Sequence, residues 1–232
     1  MIAIWKTALA ALILAAPILA APVTASAATV QLSKVLLDSE SKPVGGRLKG
    51  GTLCVFPSDI NMPKVKKTEE YERYDVLFTD RMKLAGYRVV TTSQDLFASA
   101  NAANSADFLI GATIRPETMN LCSSVNGFKG EMIIGVEWQI YDRAAQKVVE
   151  TVTTTGRGDL LKFNVDGYNL IWNAAFRDNL GHLVEQAAIR QHLGEPDAKI
   201  MADAQAAAAE KAAAEAAAIA AAEAAKLAKR KR

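Results

Sequence analysis

The 232-residue chain contains few of the side chains that carry enzyme chemistry. It has two histidines and two cysteines, and no G-x-S-x-G segment that would present a nucleophilic serine to a histidine. No glycine-rich stretch has the spacing of a phosphate-binding or dinucleotide-binding loop. His182 and His192 lie ten positions apart on a predicted helix, near opposite ridges, which is a poor arrangement for zinc. The sequence therefore predicts no catalytic residue, no metal site and no cofactor.

Charge of one sign is equally scarce. The chain has 27 lysines and arginines against 25 aspartates and glutamates, a formal net charge of +2. The excess lies at Lys6 and in the tail from Asp197 onward, which leaves the middle of the chain close to neutral. A neutral body lacks the basic surface that nucleic-acid binding requires, so we expect no nucleic-acid partner.

Long hydrophobic runs are confined to the N-terminus. A lysine precedes an apolar stretch over 8–16, and the small residues at 25–27 fit the A-x-A pattern of a cleavage site. The pattern predicts a signal peptide over residues 1–28, cleaved near Ala27 or Ala28, and a periplasmic mature protein. The alternative is an uncleaved membrane anchor, which needs roughly 20 apolar residues, and the unbroken run here is shorter.

The predicted compartment determines how the two cysteines are interpreted. In an oxidising environment, two thiols in one small domain favour a disulfide between Cys54 and Cys122, the alternative being two buried free thiols. In the chain-entropy model, closing a loop of nearly 70 residues is worth up to about 4 kcal/mol.

Hydrophobic periodicity predicts an α/β (α+β) domain over residues 29–195, with a mixed, mostly antiparallel sheet packed with helices. The clearest strand is 130–141, because its even-numbered residues from Met132 to Ile140 are apolar while Glu131, Glu137 and Gln139 are polar. The other predicted elements are an edge strand over 29–38, a buried strand over 52–56, strands over 87–90, 106–114 and 147–155, and helices over 69–85, 94–103 and 172–193. The intervening segments, including the glycine-rich 45–51 and 156–159, the basic 61–67 and the stretch after Pro116, are predicted loops.

Aromatic residues make up 6% of the chain, so their positions are informative. Trp138 falls on the apolar side of the clearest strand and is expected in the core between sheet and helix. Phe163, Tyr168 and Trp172 cluster before the last helix of the domain. They form either a partner groove or the edge of the core, and the sequence favours the core edge.

The tail over residues 196–232 is mostly alanine, the best helix former, and has few large apolar side chains to bury. We predict a long helix that projects from the domain or pairs with another helix as a coiled coil. Its end is a basic cluster that suits the negative end of a helix and an anionic membrane or cell-wall surface, the alternative being a solvated tail. The predicted contact residues are Lys226, Lys229, Arg230, Lys231 and Arg232.

The segments 106–114 (ADFLIGATI), 136–142 (VEWQIYD) and 147–149 (KVV) resemble a recurrent pattern of envelope domains related to CsgG and to the amino-terminal domain of TolB. The chain is more similar to a non-catalytic domain found in front of exported trypsin-like serine proteases, which has counterparts of 51–56 (GTLCVF), 85–90 (AGYRVV) and 120–122 (NLC). This resemblance implies an α/β sandwich and supports the Cys54–Cys122 pairing. No protease segment follows here, so protease activity is not implied.

These observations lead to one functional hypothesis and one alternative. The hypothesis is a non-catalytic periplasmic interaction or assembly protein, in which the sheet domain binds an envelope protein and the tail acts as a tether. The alternative is an accessory or regulatory subunit of an envelope peptidase.

Overall fold

The computed structural model describes residues 28–40, 44–50, 54–59, 64–69, 71–91 and 106–230. The predicted signal peptide, apart from Ala28, and the predicted helix over 94–103 lie outside these residues. The described chain forms eight strands and four helices. In chain order they are β1 (Thr29–Asp38), β2 (Gly45–Gly50), β3 (Phe56–Ser58), β4 (Lys66–Thr68), α1 (Tyr71–Leu84), β5 (Arg88–Val89), β6 (Phe108–Ser124), β7 (Gly127–Asp142), β8 (Lys147–Asn164), α2 (Gly167–Glu185), α3 (Ala187–Leu193) and α4 (Ala198–Arg230).

All eight strands belong to one mixed sheet. The three longest, β6, β7 and β8, form an antiparallel meander. On its other side β6 pairs in parallel first with β1 and then with β2. The short strands complete that side, with β4 and β5 on β1 and β3 on β2. The structure confirms the predicted fold class of a mixed, mostly antiparallel sheet with helices and a long C-terminal helix.

The strand over 29–38 is confirmed, but its predicted place at the sheet edge is wrong. β1 pairs with β6 on one side and with β5 and β4 on the other. An inner strand is buried on both edges, and Val30, Leu32 and Val35 are each at most 1% exposed. The polar Ser33 and Lys34 interrupt the apolar alternation where the pairing with β6 shifts register, which made the strand resemble an edge.

The predicted end of the strand at Pro116 is also wrong. β6 continues to Ser124 and includes Cys122, which the sequence placed in a loop. Pro116 lies where β6 changes neighbours, because pairing with β1 ends at Ile114 and pairing with β2 begins at Thr118. A residue without an N–H is tolerated at such a gap, and the register with β7 shifts there as well.

The glycine-rich segment over 156–159 is not a loop but the middle of β8. An added Cβ at Gly156 would lie 2.5 Å from the backbone nitrogen of Asn179, and one at Gly158 would clash with the carbonyl oxygen of Ile171. Both glycines therefore let the α2 backbone lie directly on β8. Glycine here signals close packing rather than a turn.

Two short strands, β2 and β4, replace predicted loops, and a third, β3, differs from the strand predicted there. β2 occupies 45–50 and β4 occupies 66–68, both expected to be loops. The predicted buried strand over 52–56 is wrong in its described part, because Cys54 lies in a turn and Phe56 begins the exposed strand β3. β2 forms on the edge of β6, β4 on the edge of β1 and β3 on the edge of β2, a tertiary cause that local sequence does not carry.

The first predicted helix is confirmed. α1 buries Tyr74, Leu77, Phe78 and Met82, the four residues predicted at helical spacing. Gly86, which follows the helix, has a φ of 85°, as a C-terminal helix stop requires.

The last helix of the domain is divided. α2 ends at Glu185, Gln186 is extended with a ψ of 133°, and α3 follows. The break changes the direction of the chain, so that Ile189 and Leu193 of α3 also reach the core. The continuous helix predicted over 172–193 is therefore wrong at Gln186.

The helices α1 and α2 pack on one face of the sheet, around Trp138. As predicted, this side chain is buried between β7 and α2, with its ring centroid 5.7 Å from that of Phe176. Its Nε1 donates to Thr154 Oγ1, and that hydroxyl donates to Asn179 Oδ1, both over 2.8 Å. Asn179 Nδ2 donates in turn to the carbonyl oxygen of Ile134. This buried network fixes the register of α2 on the sheet.

Candidate interaction surface

The face of the sheet opposite α1 and α2 carries a depression of about 470 Å³. Its described lining residues all come from β1, β6, β7 and β8. Strand alternation produces this surface, because residues between the buried positions of β7 point to the other side. We call it the open face and define it by Leu36, Leu109, Thr113, Gln139, Tyr141 and Val148.

The open face has an apolar floor with few charges. Leu36, Leu109 and Tyr141 are half-buried, and Val148 at its rim is 47% exposed. Lys34 is the charged residue at its described edge. Half-buried aliphatic and aromatic side chains around a shallow depression are the surface type that binds another protein or an apolar ligand.

A three-membered ion cluster lies beyond the open face on the same strands. Arg115 of β6 contacts Asp38 over 3.3 Å and Glu137 over 3.0 Å. Burial works to lower the pKa of the Arg115 guanidinium, but the hydrogen bonds and charges of Glu137 and Asp38 raise it above its ordinary value. Asp38 is 4% exposed, so this cluster ties β1, β6 and β7 together and is a structural feature.

The two cysteines are joined. Cys54 and Cys122 form a disulfide with a Cα–Cα distance of 5.4 Å, across a sequence separation of 68. The bridge anchors the turn before β3 to β6. It is the one set of predicted site residues that the described structure brings together.

The predicted tail contact is not tested by the structure. α4 carries Lys226, Lys229 and Arg230 near its end, while Lys231 and Arg232 lie outside the described residues. Side chains from 205 to 222 are all exposed along this helix. The anionic-surface contact of the basic cluster stays a prediction.

The histidines occupy separate helices. His182 Nδ1 lies 2.7 Å from the carbonyl oxygen of Thr155, and the His192 ring packs 6.3 Å from the Phe108 ring. Within the described ranges, neither is hydrogen-bonded to a hydroxyl or a carboxylate. The same ranges contain no group of three His, Cys, Asp or Glu side chains that could hold a metal ion. The helices among them include none long and apolar enough to cross a membrane.

Two of the three predicted aromatic residues, Tyr168 and Trp172, lie in the first turns of α2 at the edge of the core, the alternative that the sequence favoured, whereas Phe163 of β8 packs under Lys129 instead. Trp172 is 3% exposed and its Nε1 donates to the Tyr74 hydroxyl over 2.8 Å. Tyr168 stacks on Trp172 with a centroid distance of 6.1 Å. Burial raises the pKa of Tyr74 and of Tyr168 above the ordinary value of 10.0.

Sequence reasoning missed the open face. The alternation in β7 already separated Gln139 from the buried side, but its neighbours on β1, β6 and β8 come from segments far apart in the chain. Their alignment depends on the pairing of Leu36 with Thr113 and of Tyr141 with Val148. No local signal contains that register.

No protein-family model matches this chain. No curated protein matches it either. Solved structures give weak similarities. A hypothetical protein from Chlamydia trachomatis is 12% identical, with a TM-score of 0.36 over 68% of this chain and 96% of its own. A minor lipoprotein from Acinetobacter baumannii is 14% identical, with a TM-score of 0.34 over 70% of this chain and 94% of its own.

A third solved structure is the PelC dodecamer from Paraburkholderia phytofirmans. It is 12% identical, with a TM-score of 0.32 over 68% of this chain and 86% of its own. At these scores and identities the likenesses carry no argument about what this chain binds. The resemblance to the domain in front of trypsin-like proteases is not shown by these comparisons and stays a prediction.

Proposed function

We propose that this chain is an exported, non-catalytic interaction protein of the bacterial cell envelope, whose open face binds a protein partner. One observation carries the proposal: apolar residues from four strands, half-buried on β1, β6 and β7 and exposed at Val148 of β8, line a depression on the face opposite the helices. A protein partner that covers them would remove apolar surface from water, which is the main favourable contribution to association.

The export part of the proposal rests on the N-terminal pattern and on the disulfide. The signal-peptide pattern over 1–28 precedes β1, and Cys54 and Cys122 are bridged. Structural disulfides persist in oxidising compartments such as the periplasm. The proposed organisation is a signal peptide over 1–28, a binding domain over 29–195 and a helical tether over 196–232.

The test is photo-crosslinking in intact cells, with a crosslinking amino acid at Gln139 of the open face. Val148→Glu places a charge at the rim of the depression and should abolish the crosslinked product. Val76→Glu is the matched control, because Val76 is 58% exposed on α1, on the other side of the sheet. Its product should persist at wild-type intensity.

Two results would contradict the proposal: no crosslinked product at all, or a product equally intense in both glutamate variants. If the crosslinked protein is a peptidase and purified wild-type chain changes its rate while Val148→Glu does not, the accessory-subunit alternative replaces a purely assembling role.

A further inference from the structure

A second surface lies at the far end of the sheet and shares no residue with the open face. Five exposed apolar side chains gather there: Val55, Phe56, Val125, Leu161 and Val165. We call them the apolar tip. Val125 is 95% exposed, Leu161 and Val165 are each 84% exposed, and Phe56 is 70% exposed. These values are high for side chains of this type, which folding normally removes from water.

Strand pairing places the five side chains at the same end. A single row of cross-strand partners crosses the sheet there, namely Phe56, Gly50, Ser123, Phe128 and Asn164. Leu109 of the open face and Val125 of the tip are near the two ends of β6, about 50 Å apart at 3.3 Å per residue. The two surfaces are therefore separate.

The side chains of the tip protrude from turns, a bulge and the start of β3. Val125 is in the two-residue turn between β6 and β7. Leu161 belongs to a bulge in which residues 161–163 face the single Lys129. Val165 is in the turn that leads into α2, and the Cys54–Cys122 disulfide holds the turn before Phe56. The tip is thus a set of separate apolar points rather than a groove.

Basic side chains lie directly behind these points. A depression of about 560 Å³ beside the tip is lined by Arg47, Lys49, Lys129 and Arg157, with Glu131 and Asp159 as its described carboxylates. Arg157 is paired with Glu131. The other three cations form no ion pair with any described residue, and Lys129 Nζ lies 4.5 Å from the centre of the Phe163 ring.

The arrangement indicates what covers the tip. Separate protruding side chains need a partner that adapts to any contour, and hydrocarbon does so, whereas a protein partner would need matching pockets. Cations set back from apolar side chains would lie at headgroup depth and attract anionic lipids. We propose that the apolar tip docks the domain onto the surface of an anionic lipid bilayer.

The experiment is vesicle co-sedimentation of the chain from Ala28 to Arg232. Vesicles are equal parts phosphatidylglycerol and phosphatidylcholine, or phosphatidylcholine alone. All measurements use a background in which the five basic residues of the tail, Lys226, Lys229, Arg230, Lys231 and Arg232, are glutamine, so that the tail does not contribute. We expect binding to the anionic vesicles and at least about tenfold weaker binding to the neutral ones.

The decisive variant is Val125→Ser combined with Leu161→Ser. Both side chains are exposed, so the fold should tolerate the change, and unchanged thermal unfolding verifies it. Binding to the anionic vesicles should fall at least about tenfold, because the variant lacks two of the inserting side chains. Val76→Ser combined with Ile219→Ser removes two exposed apolar side chains that belong to neither surface and should bind like the background.

A second measurement reports how deeply the apolar tip enters the bilayer. Val125→Trp should be quenched by brominated lipid in the anionic vesicles, and Val76→Trp should not. Absence of vesicle binding, equal loss in both double-serine variants, or equal quenching of the two tryptophan variants would each overturn the proposal. The first of these results would favour a protein partner for the tip.

Discussion

Two glycines in β8 decide how closely the largest helix of the domain approaches the sheet. Gly156 and Gly158 point toward α2, and neither has room for a methyl group. Gly111 of β6 does have room for a side chain, because an added Cβ would meet nothing within 4 Å. At Gly156 and Gly158 close packing of α2 requires glycine, whereas at Gly111 glycine only carries its ordinary entropic cost in a strand.

Gly158→Ala should destabilise the domain by about 3 kcal/mol, because the Ile171 carbonyl and the α2 backbone must move away from β8. Gly111→Ala should be neutral or slightly stabilising, since alanine reduces the entropy of the unfolded chain without a clash. Urea unfolding of the two variants measures the difference. Equal midpoints for both would show that the close approach of α2 does not constrain β8.

Buried tyrosines make the fold sensitive to alkali. Burial raises the pKa of Tyr74 and of Tyr87 above 10.0, because the phenolate loses hydration. Above that pH the unfolded chain releases the proton while the folded chain retains it. The unfolded state is then favoured, so stability is full below pH 10 and falls as the pH rises through the folded-state pKa.

Tyr74→Phe should reduce this alkaline loss. At neutral pH the variant should be about 1 kcal/mol less stable, because Trp172 Nε1 and Arg73 lose the hydroxyl they contact. Between about pH 8 and pH 11 its unfolding free energy should fall less than that of the wild type. Parallel pH profiles for the two proteins would exclude Tyr74 as a source of the effect.

Among the elements, the β2–β3 hairpin depends most on its covalent link. β2 contributes half-buried Leu48, and all three residues of β3 are exposed. The hairpin therefore buries little apolar surface of its own. The Cys54–Cys122 disulfide fixes it to β6, which belongs to the core of the sheet.

Reduction should therefore destabilise the domain by up to about 4 kcal/mol, the chain-entropy value for a loop of this length. Hydrogen exchange should accelerate first in β2 and β3 and last in β7. Cys54→Ser combined with Cys122→Ser serves as the control and should be indifferent to dithiothreitol. A wild-type midpoint unchanged by dithiothreitol would contradict the expected role of the bridge.

Among the helices and strands, the sequence correctly predicted those whose apolar pattern lies within one continuous segment. α1 and β7 were found because each carries one unbroken apolar period on a single segment. β2 and β4 were missed because their strand conformation comes from pairing with β6 and β1. The glycines of β8 and the proline of β6 were interpreted as turns, since the sequence does not show which neighbour makes each residue necessary.

For the whole molecule, α4 is the element with the least packing. Its first turns contact α1, and Ile200 lines a shallow depression together with Tyr87 and Val89. Just before the helix begins, Asp197 N donates to the Gly86 carbonyl oxygen over 2.9 Å. Further along, Ile219 is 62% exposed. The helix is about 50 Å long at 1.5 Å per residue, and its alanine content rather than burial stabilises it.

A chain ending after Ala207 should unfold within about 0.5 kcal/mol of the full chain, because exposed side chains contribute little to stability. The far-ultraviolet circular dichroism of the truncated chain should show less helical signal than that of the full chain. Ile200→Ser is the contrasting variant and should cost about 1 kcal/mol, since it removes a half-buried apolar side chain beside α1 and β5. A large loss of stability on truncation would show that the distal helix packs on the domain.

The sequence by itself determined the class of this protein: a mixed α/β domain, an apolar core on β7 and α1, and a long alanine-rich helix. These features follow from periodicity and composition, which act within one segment. The tertiary structure decided where the surfaces lie. The open face and the apolar tip each join residues from several segments, and their alignment depends on strand register and on the close packing of α2, which no single segment contains.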